Sequence, residues 1–260
     1  MRLTRRGQNR PMDRLRTAGE PTSSNGASSF HLHWELAPIP LLECSAVLEV
    51  LMPPSVPRLY FWALQVDFAT ADRLCGSAHL GLQWNRRHPG STAANWGGYR
   101  PDGSQLGGSE PVLPVIGRDM NTVAFPWVAG HRYELRIARR GPAPEGEHAW
   151  AGSVTDLESG EEQTVRDLHS AGEHLLRPVV WSEVFARCEH PTVAVRWSSL
   201  RAVTADGNLV RPAGVRAGYQ AEAAGGCSNT TAGVDQIGVM QITDSARRVP
   251  RGVLLPIPGE

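Results

Sequence analysis

Tyr60-Phe61-Trp62-Ala63-Leu64-Gln65-Val66-Asp67-Phe68 is the stretch whose reading decides the fold. Successive side chains of an extended strand point to opposite faces, so Tyr60, Trp62, Leu64, Val66 and Phe68 share one face while Ala63, Gln65 and Asp67 share the other. Phe61 alone departs from that division. Ser77 to Asn85 repeats the pattern. Ala78, Leu80, Leu82 and Trp84 alternate there with Ser77, His79, Gly81, Gln83 and Asn85, which is the pattern of a half-buried strand.

Outward from these two runs the same period of two recurs. Tyr133, Leu135 and Ile137 alternate with smaller or polar residues, as do Trp150, Gly152 and Val154, and Val193, Val195 and Trp197. Glu158, Ser159 and Gly160 supply turn chemistry, so Ala151 to Asp156 and Gln163 to Leu168 are predicted to form a hairpin. Pro178 opens a strand over Val179 to Phe185, Asp206-Gly207-Asn208 makes a tight turn, and a last strand covers Ile237 to Thr243. Ser91 to Gly108 is rich in Gly, Asn and Ser without alternation and is predicted to be a long loop. Helical stripes are almost missing. The pattern predicts an all-β fold, a two-sheet antiparallel sandwich of the jelly-roll kind. Residues 1–29 lack apolar periodicity and are expected to be a disordered tail, which leaves residues 30–260 as one domain with a C-terminal strand extension.

Composition narrows the function classes. Hydrophobic residues are 41% and charged residues 20% of the 260, enough apolar material to bury a core. Basic and acidic residues balance to zero formal charge, which removes the field that draws a protein to nucleic acid or to an anionic membrane. Neither partner is expected. Every basic residue is arginine and the chain contains no lysine. A Walker phosphate loop, a pyridoxal Schiff base and a Ser-x-x-Lys acylase each need that lysine, so all three drop out.

No run reaches the roughly 18 apolar residues that cross a bilayer as a helix. Thr4-Arg5-Arg6 is followed by Gly7, Gln8, Asn9 and Arg10 where an export signal needs an apolar stretch. A soluble chain is therefore expected. Cys44, Cys75, Cys188 and Cys227 form no Cys-x-x-Cys pair. The cysteine pattern favours buried free thiols in a cytoplasmic protein over a Cys188–Cys227 bridge in an exported one.

Three passages together resemble a family of bacterial jelly-roll domains of the concanavalin A-like type, to which no activity is assigned. They are His79-Leu80-Gly81-Leu82-Gln83 with the following Trp96-Gly97-Gly98-Tyr99, then Trp127 to Ile137, then Trp150 through Thr155 with its hairpin. They span about half of the chain. The resemblance implies a curved two-sheet sandwich, often with a glycan at its concave face. Laminarinase-type relatives carry a Glu-x-Asp-x-x-Glu strand that this sequence lacks, which argues against glycoside hydrolysis by that route.

With Ala78, Leu80 and Leu82 turned to the core, His79, Gly81 and Gln83 face outward, joined by Gln65 and Asp67. Small and polar residues leave space and supply partners for hydroxyls, and an aromatic plate would take the C–H face of a sugar. Trp96, Tyr99 and Trp181 are the plate candidates. The plainer alternative is a solvated face with the tryptophans filling loop cores. Trp181 and Glu183 share a face opposite Val180 and Val184, so desolvation is expected to raise the Glu183 pKa. As a general acid Glu183 would need a second carboxylate roughly 5–10 Å away, with Asp67 and Glu134 the candidates. Its structural alternative is an ion pair with an arginine such as Arg196.

The histidines show no metal-ligand spacing, His31 and His33 being the sole close pair, and neither metal nor cofactor is expected. A loop calcium site at Asn229, Thr230 and Asp235 is a minor option. The first functional reading is a non-catalytic carbohydrate-binding domain using Gln83, Trp96, Tyr99, Trp181 and Glu183. The alternatives are a glycan-cleaving hydrolase or lyase using Glu183, and a protein-interaction domain. Ligand identity and oligomeric state stay open.

Overall fold

The computed structural model describes residues 15–86 and 91–258. Its strands begin with β1 (Ser28–Trp34), β2 (Leu41–Met52), β3 (Tyr60–Ala69), β4 (Leu74–Trp84), β5 (Thr92–Tyr99) and β6 (Val115–Ile116). They continue with β7 (Asp119–Ala124), β8 (Arg132–Pro142), β9 (His148–Asp156), β10 (Glu161–Ser170), β11 (His174–Val184) and β12 (Ala194–Thr204). The C-terminal set is β13 (Leu209–Val210), β14 (Val215–Tyr219), β15 (Thr231–Val234), β16 (Val239–Ile242) and β17 (Leu254–Leu255).

Every pairing among the described residues is antiparallel, and the strands fall into two sheets. The first runs β17-β14-β1-β11-β3-β4-β5-β7-β6. The second runs β10-β9-β8-β2-β12, with β13 and the β16-β15 hairpin along the far side of β12. One residue pair, Leu175 with Leu41, joins them at a corner. The chain is thus an antiparallel β-sandwich, as the alternation predicts.

The alternation explains why the sheets stack. The first sheet turns Tyr60, Trp62, Leu64, Val66 and Phe68 inward, with Leu80, Leu82, Trp96 and Val180 beside them. The second answers with Leu48, Tyr133, Leu135, Ile137, Trp150, Val154 and Trp197. Each such side chain withdraws apolar area from water, worth about 1.5–3 kcal/mol for a fully buried large aliphatic or Phe residue. The hairpin expected around Glu158-Ser159-Gly160 is β9–β10.

Three expectations are corrected here. Ser91 to Gly108 is not one long loop, because Thr92–Tyr99 forms β5 between β4 and β7. Its glycines are packing residues: a Cβ on Gly97 would come 2.9 Å from the Asn121 side chain, and one on Gly98 would lie 2.4 Å from the Ser77 carbonyl. The tail boundary also moves. β1 opens at Ser28, and before it the carbonyls of Arg16 and Gly19 accept from the N–H groups of Ser228 and Cys188, while the Thr22 N–H donates to Gly225. Backbone hydrogen bonds, the Glu20–Arg58 ion pair, the Asn25–Glu183 bond and the buried Pro21 and Ala27 fix residues 15–27; the remainder of the expected tail, residues 1–14, lies outside the described residues.

The third correction concerns the cysteines. Cys188 and Cys227 form a disulfide with their Cα atoms 5.6 Å apart, while Cys44 and Cys75 are free. The bridged residues stand 39 positions apart in sequence, and the fold alone brings them together. The inference of a cytoplasmic compartment from free thiols falls with this finding. No described helix is long and apolar enough to cross a membrane.

Candidate functional site

Residues directly opposite one another in an antiparallel pair share a face, so the pairings assemble the outer face of the first sheet row by row. One row reads Ser29, Glu183, Phe61, Gln83 and Ala93 across β1, β11, β3, β4 and β5. The next reads His31, Trp181, Ala63, Gly81 and Asn95, and the third His33, Val179, Gln65, His79 and Gly97. A fourth holds Asp67, Ser77 and Tyr99.

The middle of this face is a small apolar cluster, Phe61, Ala63, Val179 and Trp181, separated from the main core by the sheet itself. Phe61, His79 and Trp181 meet edge to face, with ring centroids 5.0–5.6 Å apart. The Trp181 indole N–H donates to Gln65 Oε1 at 3.0 Å, and Asn95 Nδ2 donates to Thr122 Oγ1 at 2.8 Å. Gly81 keeps the floor low: a Cβ there would meet that of Ala63 at 2.7 Å.

Electrostatically the face is close to neutral. Burial pushes the His79 pKa down to about 4, against an opposing pull from Asp119 and Asn95. Burial, then the neighbouring His33, pushes His31 down to about 4, and burial together with Arg251 lowers His33. All three imidazoles are therefore uncharged at neutral pH, each with one donor and one acceptor nitrogen. Glu183 shifts the other way. Burial raises its carboxyl above the usual range, although the Ser29 hydroxyl at 3.1 Å and the Asn25 amide at 3.2 Å donate to Oε1 and partly offset the rise.

The five residues singled out by sequence divide. Gln83, Trp181 and Glu183 share the outer face as expected. Gln83 and Glu183 flank Phe61 on one row, two strand spacings or about 9–10 Å apart at the backbone. Tyr99 is on the same face and half exposed, but three rows and three strands from Glu183, which is roughly 25 Å by strand geometry. Trp96 is a correction. It is fully buried between the sheets, its ring seated where a Cβ on Gly152 would stand and its N–H donating to the Trp150 carbonyl. It cannot plate a ligand. Trp181 is only 4% exposed, so it offers an edge of the cluster in place of an open ring face.

The carboxylate partners proposed for Glu183 are elsewhere. Asp67 lies three rows away and pairs with Arg177 at 2.6 Å, and Glu134 belongs to the second sheet, paired with Arg201 at 2.5 Å. Arg196 is not a partner of Glu183 either, for it pairs with Glu49 at 2.6 Å and Asp235 at 2.7 Å. That pairing takes Asp235 from the loop calcium set, whose Asn229 amide donates to the Cys188 carbonyl at 2.7 Å. No group of three His, Cys, Asp or Glu that could hold a metal occurs among the described residues. His31 and His33 belong to the outer face through β1, where Phe30, Leu32 and Trp34 alternate with them toward the core. The apolar cluster had one sequence signal, the exception of Phe61 to its own alternation.

No family model and no curated protein matches this chain. Among solved structures it is similar to Scytalido-glutamic peptidase bound to a peptide-based transition-state analog, at a TM-score of 0.45 and 11% identity over 88% of this chain and 100% of that one. It is also similar to SCP-B, a member of the Eqolisin family of peptidases in complex with the tripeptide Ala-Ile-His. That match has a TM-score of 0.44 and 10% identity over 88% of this chain and 100% of that one.

Proposed function

We propose that the outer face of the first sheet binds a neutral glycan chain without cleaving it. The observation that carries this reading is the row structure of the face, in which uncharged donors and acceptors surround a floor of Ala63, Gly81 and Gly97. Gln65 and the neutral His31 and His79, with the more deeply buried Gln83 and Asn95 beside them, supply amide and imidazole groups, which match hydroxyls better than they match ions. The edges of Phe61 and Trp181 supply the apolar contact. Retention of the full chain on immobilised neutral polysaccharides tests the reading. Binding that weakens about tenfold in Gln83→Ala, the loss of a well-placed polar contact, supports it. Failure to bind any member of a broad panel overturns it.

A catalytic reading has its own observation, the desolvated Glu183 carboxyl across Phe61 from the Gln83 carboxamide. A carboxyl that keeps its proton into milder acid than usual is suited to general acid work. The two-carboxylate route of glycoside hydrolysis does not fit, because Asp67 and Glu134 are remote and already paired. Turnover of a polysaccharide or protein panel in acidic buffer, lost in Glu183→Gln while binding persists, would favour this reading over simple binding.

A further inference from the structure

At the β6–β7 hairpin a cleft of about 520 Å³ is lined among others by Leu106, Ile116, Arg118, Asp119, Asn121 and Arg166. Arg166 stands on β10, where the register with β9 shifts between Thr164 and Arg166. A bulge of this kind re-aims a side chain, and here Val165 and Arg166 are both buried in succession. The Arg166 side chain is 7% exposed, yet no carboxylate pairs with it among the described residues. Nη1 donates to Asn121 Oδ1 at 2.9 Å, and Nε is buried with no partner. Asp119 lies nearby, but its oxygens accept from the Asn121 N–H at 3.1 Å and the Thr122 hydroxyl at 2.6 Å. Glu110 acts on the guanidinium only at a distance and is exposed.

A buried guanidinium without a counter-charge is costly to keep, and Arg166 lines an accessible cleft. With Nε wholly buried and Nη1 held by Asn121, Nη2 is the donor left to a carboxylate oxygen, as a charge-assisted hydrogen bond. Arg166 and Arg118 stand against Asp119 and Glu110 around the cleft, a balance that disfavours a multiply charged anion and leaves a monoanion as the match. We propose that Arg166, steadied by Asn121, forms a carboxylate-binding site for a sugar acid. Asn121 Cγ also lies 2.9 Å from where a Cβ of Gly97 would stand, which places this site against the end of the outer face. The inference does not depend on the glycan reading, since a free sugar acid suffices to occupy the site.

The test is calorimetric titration of the full chain with glucuronate, with glucose and sulfate at matched ionic strength as comparison arms. Glucuronate is expected to bind more tightly than glucose or sulfate, and any glucose binding that persists in Arg166→Gln belongs to the outer face. Arg166→Gln should weaken glucuronate by about tenfold or more, the loss of a charge-assisted pair. Asn121→Asp keeps the arginine and supplies an internal carboxylate, so it should abolish glucuronate binding and raise the melting temperature, which decides the matter if Arg166→Gln fails to fold. A uronic-acid oligosaccharide is the last arm: tighter binding than the monomer assigns the carboxylate to a glycan, and equal binding assigns it to a free acid. No glucuronate binding, binding no tighter than sulfate, or binding unchanged in Asn121→Asp would overturn the site.

Discussion

Strand β3 carries two environments back to back. Toward the second sheet, Tyr60, Trp62, Leu64, Val66 and Phe68 are at most 1% exposed and belong to the main hydrophobic core. On the outside, Phe61, Ala63, Gln65 and Asp67 have no second sheet over them, yet Phe61 is 5% and Asp67 9% exposed. The outer residues are screened by one another and by polar side chains of adjacent strands. The difference is in how burial is achieved. The inner face excludes water by stacking sheets, whereas the outer face does so by lateral packing, which leaves its polar groups desolvated.

The contrast can be broken most directly with its two tryptophans. Trp96→Ala should cost roughly 3–5 kcal/mol, the range for a large aromatic removed from a close-packed core, read by chemical denaturation. Trp181→Ala should cost less, about 2 kcal/mol, because its ring loses contacts on one side of a single sheet only. Equal costs would show that the outer face is a second core.

The next effect is a pH dependence. Burial raises the Glu183 pKa in the folded chain, so the native state holds this proton more tightly than the unfolded chain does. The contribution of Glu183 is therefore most favourable in acid, below the ordinary carboxylate range, and declines as pH rises through the raised folded value. Glu183→Gln should remove that decline and be the more stable form at neutral pH, with the difference vanishing in acid. A wild-type profile that instead gains stability over this window would sink the desolvation argument. The smallest expected effect is that of Gln83→Ala on stability, within about 1 kcal/mol for one modest hydrogen-bonding group, measured beside its larger effect on glycan retention.

Much of the sandwich was legible because alternation in β3, β4, β8 and β9 records which side of each strand meets the second sheet. The outer face was legible to the same extent: His79, Gln83, Trp181 and Glu183 follow from parity alone. Trp96 was misplaced because Gly97 and Gly98 read as loop residues, whereas they are glycine to clear Asn121 and the Ser77 carbonyl. Both obstacles come from other strands and leave no local trace. The Ser29 and Asn25 bonds to Glu183 were hidden for a similar reason, since the partners that hold residues 15–27 lie far along the chain. Arg166 looked like one more polar residue of a hairpin until the bulge turned it inward.

The disulfide lies five positions past Glu183, and the N-terminal segment is fastened around it. The Cys188 N–H donates to the Gly19 carbonyl and the Cys227 N–H to the Ser28 hydroxyl, and the same segment delivers the Asn25 amide to the Glu183 carboxylate. Opening the bridge would slacken this strap and withdraw a hydrogen bond that holds the carboxyl pKa down. A titration of Glu183 with and without reductant would read this as a further upward movement, and no movement would refute it.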